Sequence, residues 1–170
     1  MKIYLIGMPG AGKSTIGREI ALRKKFPFFD LDKEIEKEEG KSVSEIFSQS
    51  GESYFREIES RTLVKISNTA ESFVMATGGG APCFHGNMNL MLQNGFTVFL
   101  DPPLDLIERR LSESRTRPLI NAQSEVPLLK RLEDLLNKRT PFYKQAKLRI
   151  ADNINVTDRI IQLLPNNFPD

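Results

Sequence analysis

The 170-residue chain carries one cysteine, one histidine and no tryptophan. A single cysteine excludes an internal disulfide framework, and a single histidine excludes a histidine-rich metal site. No apolar run approaches the roughly 20 residues of a membrane-spanning helix. Neither charge dominates: 24 Lys+Arg stand against 22 Asp+Glu, so no global field recommends nucleic acid or an anionic membrane. Internal repeats and low-complexity tracts are also missing. The length suits one domain, 1–170, with a sheet core covered on both faces. A compact chain of this kind with balanced charge favours a monomer. Its first residues already read as a core strand, so a leader cleaved there would remove that strand, and the expected location is cytoplasmic.

What the chain does contain is concentrated at its start. The apolar run Lys2-Ile3-Tyr4-Leu5-Ile6 feeds directly into Gly7-Met8-Pro9-Gly10-Ala11-Gly12-Lys13-Ser14-Thr15. This is G-x-x-x-x-G-K-[ST] with a strand before it and a helix-compatible run after it. Glycines let the backbone curl so that successive N–H groups face phosphate oxygens. Lys13 reaches the terminal phosphates, the Ser14 hydroxyl suits a magnesium ion, and the helix N-terminus adds its positive end. The segment implies binding of a nucleoside triphosphate. Its bland alternative is a glycine-rich turn without a ligand.

Beyond this loop, strand and helix patterns alternate. Strands are expected at Ile3–Ile6, near Phe26–Phe29, and at Phe73–Ala76, Thr97–Leu100 and Leu148–Ala151. Helices are expected from Ser14 to Lys25, Asp32 to Glu39, Val43 to Ser50, Glu52 to Thr69, Leu104 to Ser112, Leu128 to Lys147 and Asp158 to Leu164. Such alternation favours an α/β fold, a parallel sheet with helices on both faces and ligands at the carboxyl ends of its strands.

The chemistry-bearing residues do follow strands. Asp30-Leu31-Asp32 follows the second; one carboxylate suits the magnesium beside Ser14, and the other an acceptor hydroxyl. Asp32 as a helix cap is the plain alternative. Arg56 and Glu59 share a helix face, either as a rigid fork for a substrate carboxylate or as an ordinary surface ion pair. Thr77-Gly78-Gly79-Gly80 follows the third strand and clears side chains from a place where a ligand packs on backbone, or else serves a turn. Cys83 and His85 read as structural. The segment 111–123, with Arg115, Arg117 and Pro118, reads as a mobile cover delivering an arginine to the transferring phosphoryl group, or as a solvated loop. Arg139, in Lys138-Arg139-Thr140-Pro141-Phe142-Tyr143, is a second carboxylate clamp or one more exposed charge.

Taken together, these motifs resemble shikimate kinase, the small P-loop kinase of aromatic amino-acid biosynthesis, from Met1 to about Ala151. The family's phosphate loop matches Gly7–Thr15, its D-x-D Asp30 and Asp32, its F-R-x-x-E Phe55, Arg56 and Glu59, and its G-G-G Gly78, Gly79 and Gly80. Its R-P-L matches Arg117, Pro118 and Leu119, and its K-R-x-P-x-Y matches Lys138, Arg139, Pro141 and Tyr143.

The resemblance implies a three-layer α/β/α fold with a five-stranded parallel sheet, a substrate-binding helical segment at about 32–61 and a lid at about 111–123. The implied reaction is phosphorylation of the shikimate 3-hydroxyl by MgATP. Asp32 would activate that hydroxyl, Arg56 and Arg139 would grip the carboxylate, and Gly78, Gly79 and Gly80 would line the ring. Gly10, Ala11, Gly12, Lys13, Ser14 and Thr15 would bind ATP, with Lys13 and Arg117 on the phosphates and Arg110 stacked near adenine. Ser14 would hold magnesium with Asp30 nearby. One departure stands out. The family's adenine loop often has a basic residue and a proline, and here Asp152-Asn153-Ile154-Asn155-Val156-Thr157 has neither.

Rival readings fit less well. A gluconate or nucleoside-monophosphate kinase would share the phosphate loop and lid without F-R-x-x-E, G-G-G and K-R-x-P-x-Y together. A GTPase switch would need D-x-x-G and N-K-x-D; the first is absent, and Asn137-Lys138-Arg139-Thr140 lacks the aspartate. A nucleic-acid-stimulated ATPase would need a basic, aromatic-laced surface.

Overall fold

The central strand is apolar from Ile3 to Ile6 because it is covered on both sides. In the structure, a computed structural model describing residues 1–113 and 126–165, β1 (Lys2–Ile6) occupies the middle of a five-stranded sheet. Its alternate residues enter two different cores. Tyr4 and Ile6 join one cluster with Phe73, Met75 and Phe99, whereas Ile3 and Leu5 join another with Val74, Val98 and Ile150. A strand buried on both faces reads as a continuous hydrophobic run.

The strand order is β2-β3-β1-β4-β5, with β2 Phe28–Asp30, β3 Phe73–Ala76, β4 Phe96–Leu100 and β5 Leu148–Ile150. Every pairing is parallel. Chain order therefore reverses at β1, whose neighbours are β3 and β4, and the loops after β1 and β3 diverge there to leave a crevice. Register decides what meets in it. Asp30 and Leu5 both pair with Ala76, so the ends of β2, β3 and β1 lie level and release their loops at one edge.

The helices are α1 (Lys13–Lys24), α2 (Leu31–Glu39), α3 (Val43–Thr69), α4 (Asn87–Asn94), α5 (Leu104–Ser112), α6 (Leu128–Tyr143) and α7 (Val156–Leu163). Helix α3 opens with a capping box, in which the Ser42 side chain accepts from the Glu45 amide and the Glu45 carboxylate accepts from the Ser42 amide. It breaks at Gly51 (φ 80°, ψ 173°), so the expected pieces Val43–Ser50 and Glu52–Thr69 meet at a residue only glycine occupies comfortably. No helix among the described residues is long and apolar enough to cross a membrane.

Four details depart from the sequence expectation. Strand β2 begins at Phe28 and extends to Asp30, which places that carboxylate at the strand's end. Helix α6 stops at Tyr143, and α7 starts at Val156. Helix α4 and the 3₁₀ turn Ala81–Cys83 were not anticipated; α4 is short, lies between Gly86 and Gly95, and shows only Met88 and Met91 as an apolar i,i+3 pair. Asp32 is not a cap. Helix α2 starts at Leu31 with Asp30 in the N-cap position, and the Asp30 side chain makes no capping bond.

Candidate active site

The loop between β1 and α1 wraps its own lysine. Lys13 Nζ donates to the carbonyls of Gly7 (2.8 Å) and Met8 (2.9 Å), and the residue is only 8% exposed. Gly10 (φ 81°) and Gly12 (φ 96°) supply the left-handed turns that bring those carbonyls round. The Ser14 hydroxyl donates to Asp30 Oδ2 at 2.6 Å, so the end of β2 meets the first turn of α1. Arg110, from α5, reaches the same loop and donates to the Gly10 carbonyl at 3.2 Å.

A cleft of about 400 Å³ opens here, lined by Gly10, Gly12, Lys13, Ser14, Thr15, Asp30, Asp32, Gly78, Gly79 and Arg110. A second cleft of about 430 Å³ continues from it, sharing Ile16 and Arg110, and reaches Ala11, Asn153, Asn155 and Thr157. Thr157 donates to Glu19 at 2.7 Å, which ties the first turn of α7 to α1.

The triple glycine is where three other elements converge. A Cβ on Gly78 would sit 2.7 Å from Glu59 Oε1 and 3.0 Å from Asp32 Oδ1. One on Gly79 would sit 2.8 Å from Arg139 Nη1, and one on Gly80 2.5 Å from Arg56 Nη2. Each glycine thus clears room for a different charged side chain from α2, α3 or α6. Tyr143 holds α6 in place: its buried hydroxyl donates to the Gly79 carbonyl at 2.6 Å, and its ring packs 4.9 Å from that of Phe99. Burial pushes the Tyr143 phenol far up, so it stays a neutral donor.

The Arg56–Glu59 pair is buried, not superficial. Arg56 is 7% exposed and Glu59 fully buried; Arg56 Nη1 donates to Glu59 Oε2 at 2.7 Å. Glu52 Oε1 accepts from Arg56 Nε (3.2 Å) and Nη2 (3.0 Å). Desolvation raises the Glu59 carboxyl to about 7, against the opposing pull of Arg56, and the nearby Asp32 charge adds to the rise. Among the described residues Glu59 Oε1 accepts no hydrogen bond, an uncommon state for a buried carboxylate oxygen.

Comparison with known proteins identifies the family. The family model described as shikimate kinase matches residues 9–165. A shikimate kinase of Bacteroides fragilis is 43% identical over 162 residues, covering 94% of this chain and 90% of that protein. One from Persephonella marina is 40% identical over 149 residues, covering 88% and 87%. The chain belongs to the shikimate kinase family. Its reaction is the ATP-dependent phosphorylation of shikimate. Among solved structures, shikimate kinase from Bacteroides thetaiotaomicron superposes with a TM-score of 0.90 at 37% identity, covering 96% of this chain and 98% of that one. The Acinetobacter baumannii enzyme in complex with shikimate gives 0.88 at 35% identity, covering 95% and 91%.

Within this family frame, the structure gathers Gly10, Gly12, Lys13, Ser14, Thr15, Asp30, Asp32, Gly78, Gly79 and Arg110 around one cleft, with Ala11 on its extension. Arg56, Gly80 and Arg139 adjoin it through the triple glycine. Arg117, with most of segment 111–123, lies outside the described residues. Sequence reasoning treated Glu59 only as the partner of Arg56 and passed over Glu52 and the ring of Phe84. The i,i+4 spacing of Glu52 and Arg56 was readable. The placement of Phe84 was not, because it depends on an unforeseen 3₁₀ turn.

Proposed function

We propose that the chain transfers the γ-phosphoryl group of ATP to the 3-hydroxyl of shikimate, with Asp32 as the group that orients the hydroxyl and receives its proton. The observation that carries this reading is the convergence on Gly78–Gly80, where Asp32 stands between the phosphate loop and two arginines. A phosphoryl acceptor seated there has its hydroxyl end toward Lys13 and Asp32 and its carboxylate end toward Arg56 and Arg139. Planar guanidinium forks suit a carboxylate. As the new P–O bond forms and the bond to ADP breaks, charge grows on the phosphoryl oxygens. Lys13 then leaves its loop carbonyls for those oxygens, and Arg117 meets them from the segment 111–123 acting as a lid.

The Ser14 hydroxyl and Asp30 carboxylate, 2.6 Å apart beside Lys13, are the hard oxygen donors that magnesium prefers. Bound there with ATP, magnesium supplies neutralisation of phosphate charge. Arg110, on the wall shared by both clefts, stacks near adenine. The reading treats 1–170 as one domain with a substrate segment at about 32–61. The reading also takes the enzyme to be monomeric and cytoplasmic, without nucleic-acid or membrane partners.

The test is ADP release by purified protein with MgATP in the presence of shikimate, gluconate, AMP or no acceptor. Stimulation by shikimate alone is expected. Stimulation by gluconate or AMP would keep the phosphate loop and discard the carboxylate clamp.

A further inference from the structure

Phe84 is an apolar side chain left 37% exposed beside a charged site. Its ring centroid lies 4.5 Å from the Arg56 guanidinium carbon, nearer than the rings of Phe55 (5.2 Å) and Phe47 (5.9 Å). We infer that Phe84 is a positioning residue for the acceptor carboxylate, holding the Arg56 fork aimed into the cleft by a cation–π contact. The inference rests on the role given to Arg56 above.

Three observations support it. First, Phe84 is held where it is by the helix that carries Arg56. Asn87, 1% exposed, accepts from Ser60 of α3 (2.8 Å), donates through Nδ2 to the Ala81 carbonyl (3.0 Å) and donates through its amide to the Phe84 carbonyl (2.9 Å). Positive φ at His85 (50°) and Gly86 (70°) turns the chain immediately afterwards, so the ring stays over α3.

Second, the hydrogen bonds of Arg56 leave its fork incompletely fixed. Glu59 and Glu52 accept three N–H bonds from it, out of the five a guanidinium offers. Glu52 is itself 57% exposed and a weak anchor. Third, Gly80 clears the space that the guanidinium occupies, and the Phe84 ring, a few residues further along the same loop, stands over it. A ring over a cation that is only partly hydrated gains more than one over an exposed cation.

The experiment compares F84L and F84Y with the parent, using KM and kcat for shikimate and for ATP, together with calorimetric binding of shikimate and of its carboxamide analogue. F84L is expected to raise the shikimate KM about fivefold, the scale of one partly desolvated cation–π contact. The KM for ATP should stay within a factor of two, and F84Y, which keeps an aromatic face, should restore the parent value. Binding of the carboxamide should be indifferent to F84L, because Arg56 then has no anion to grip. An unchanged shikimate KM in F84L would overturn the inference. So would equal impairment of F84L and F84Y, or equal weakening of shikimate and carboxamide binding, each of which marks a packing role. R56A separates the two levels. If R56A leaves the shikimate KM unchanged, the carboxylate role of Arg56 fails; if R56A raises it and F84L does not, only the role of Phe84 fails.

Discussion

Adding one methyl group at Gly80 should separate substrate affinity from stability. Gly80 has φ −87° and ψ −18°, ordinary right-handed geometry that alanine adopts freely. Alanine there narrows the unfolded ensemble and adds about 0.4–1 kcal/mol of stability through it. The obstacle is purely spatial. The new Cβ would stand 2.5 Å from Arg56 Nη2, 2.7 Å from Nη1 and 2.8 Å from Cζ. Non-bonded heavy atoms rest about 3.5 Å apart or more, so the guanidinium must retreat by about 1 Å. That displacement takes the 2.7 Å bond to Glu59 out of hydrogen-bond range. A charge-assisted bond of this kind is worth about 1.5–3 kcal/mol. Net destabilisation should then be about 1–2 kcal/mol, a fall of several degrees in melting temperature. The misdirected fork should raise the shikimate KM about 10–100-fold, the loss of one to two such bonds. The KM for ATP should hardly move. Steady-state ADP release and thermal denaturation of G80A give both quantities. A shikimate KM within twofold of the parent would refute the reasoning, because the clash cannot be relieved without moving Arg56 or the loop that carries Gly80.

Other perturbations probe the remaining parts. D32N should lower kcat at least about 100-fold, the scale of a lost proton acceptor, with ATP binding by calorimetry within about threefold of the parent. An equal loss of ATP affinity would assign Asp32 to the nucleotide instead. Glu59 titrates in the fold at about 7 against a reference of 4.5, facing Arg56, Arg139 and Asp32. A raised carboxyl favours the protonated fold, so its contribution to stability falls as pH rises from about 4.5 to about 7 and is level outside that window. The span corresponds to about 3 kcal/mol. The stability of the parent minus that of E59Q should fall by that order across the window, and parallel melting curves would contradict it. G51A should destabilise by about 1–3 kcal/mol although nothing lies within 4 Å of the new Cβ, since φ 80° with ψ 173° suits glycine alone. An unchanged melting temperature would mean that α3 tolerates a continuous path there.

Much of this is legible in the sequence alone. The phosphate loop is local: the run from Lys2 to Thr15 shows both the strand that enters it and the glycines that turn it. The strands at 73–76 and 97–100 were readable because a short apolar or β-branched run bounded by turn residues has one comfortable home, between two helical layers. The break between Ser50 and Glu52 was readable because Gly51 interrupts two helical patterns. Short elements escaped, α4 above all, since eight residues give a helical period barely two turns in which to declare itself.

The sequence by itself determined the nucleotide loop, the alternation of strands and helices, and the set of charged residues that follow strand ends. Backbone sterics and side-chain period act within a few residues, so a string of residues suffices for them. Only the tertiary structure decided which of those residues meet. Arg56 and Glu59 have the same i,i+3 spacing on a solvated helix as in a core, and it is the packing of α3 against the β3 loop that buries them and lifts the Glu59 carboxyl. Asp32, Arg56 and Arg139 are far apart in the chain, and strand order and register bring their elements to one triple glycine. Contacts of that kind depend on where whole elements dock, and no local pattern in the chain encodes that docking.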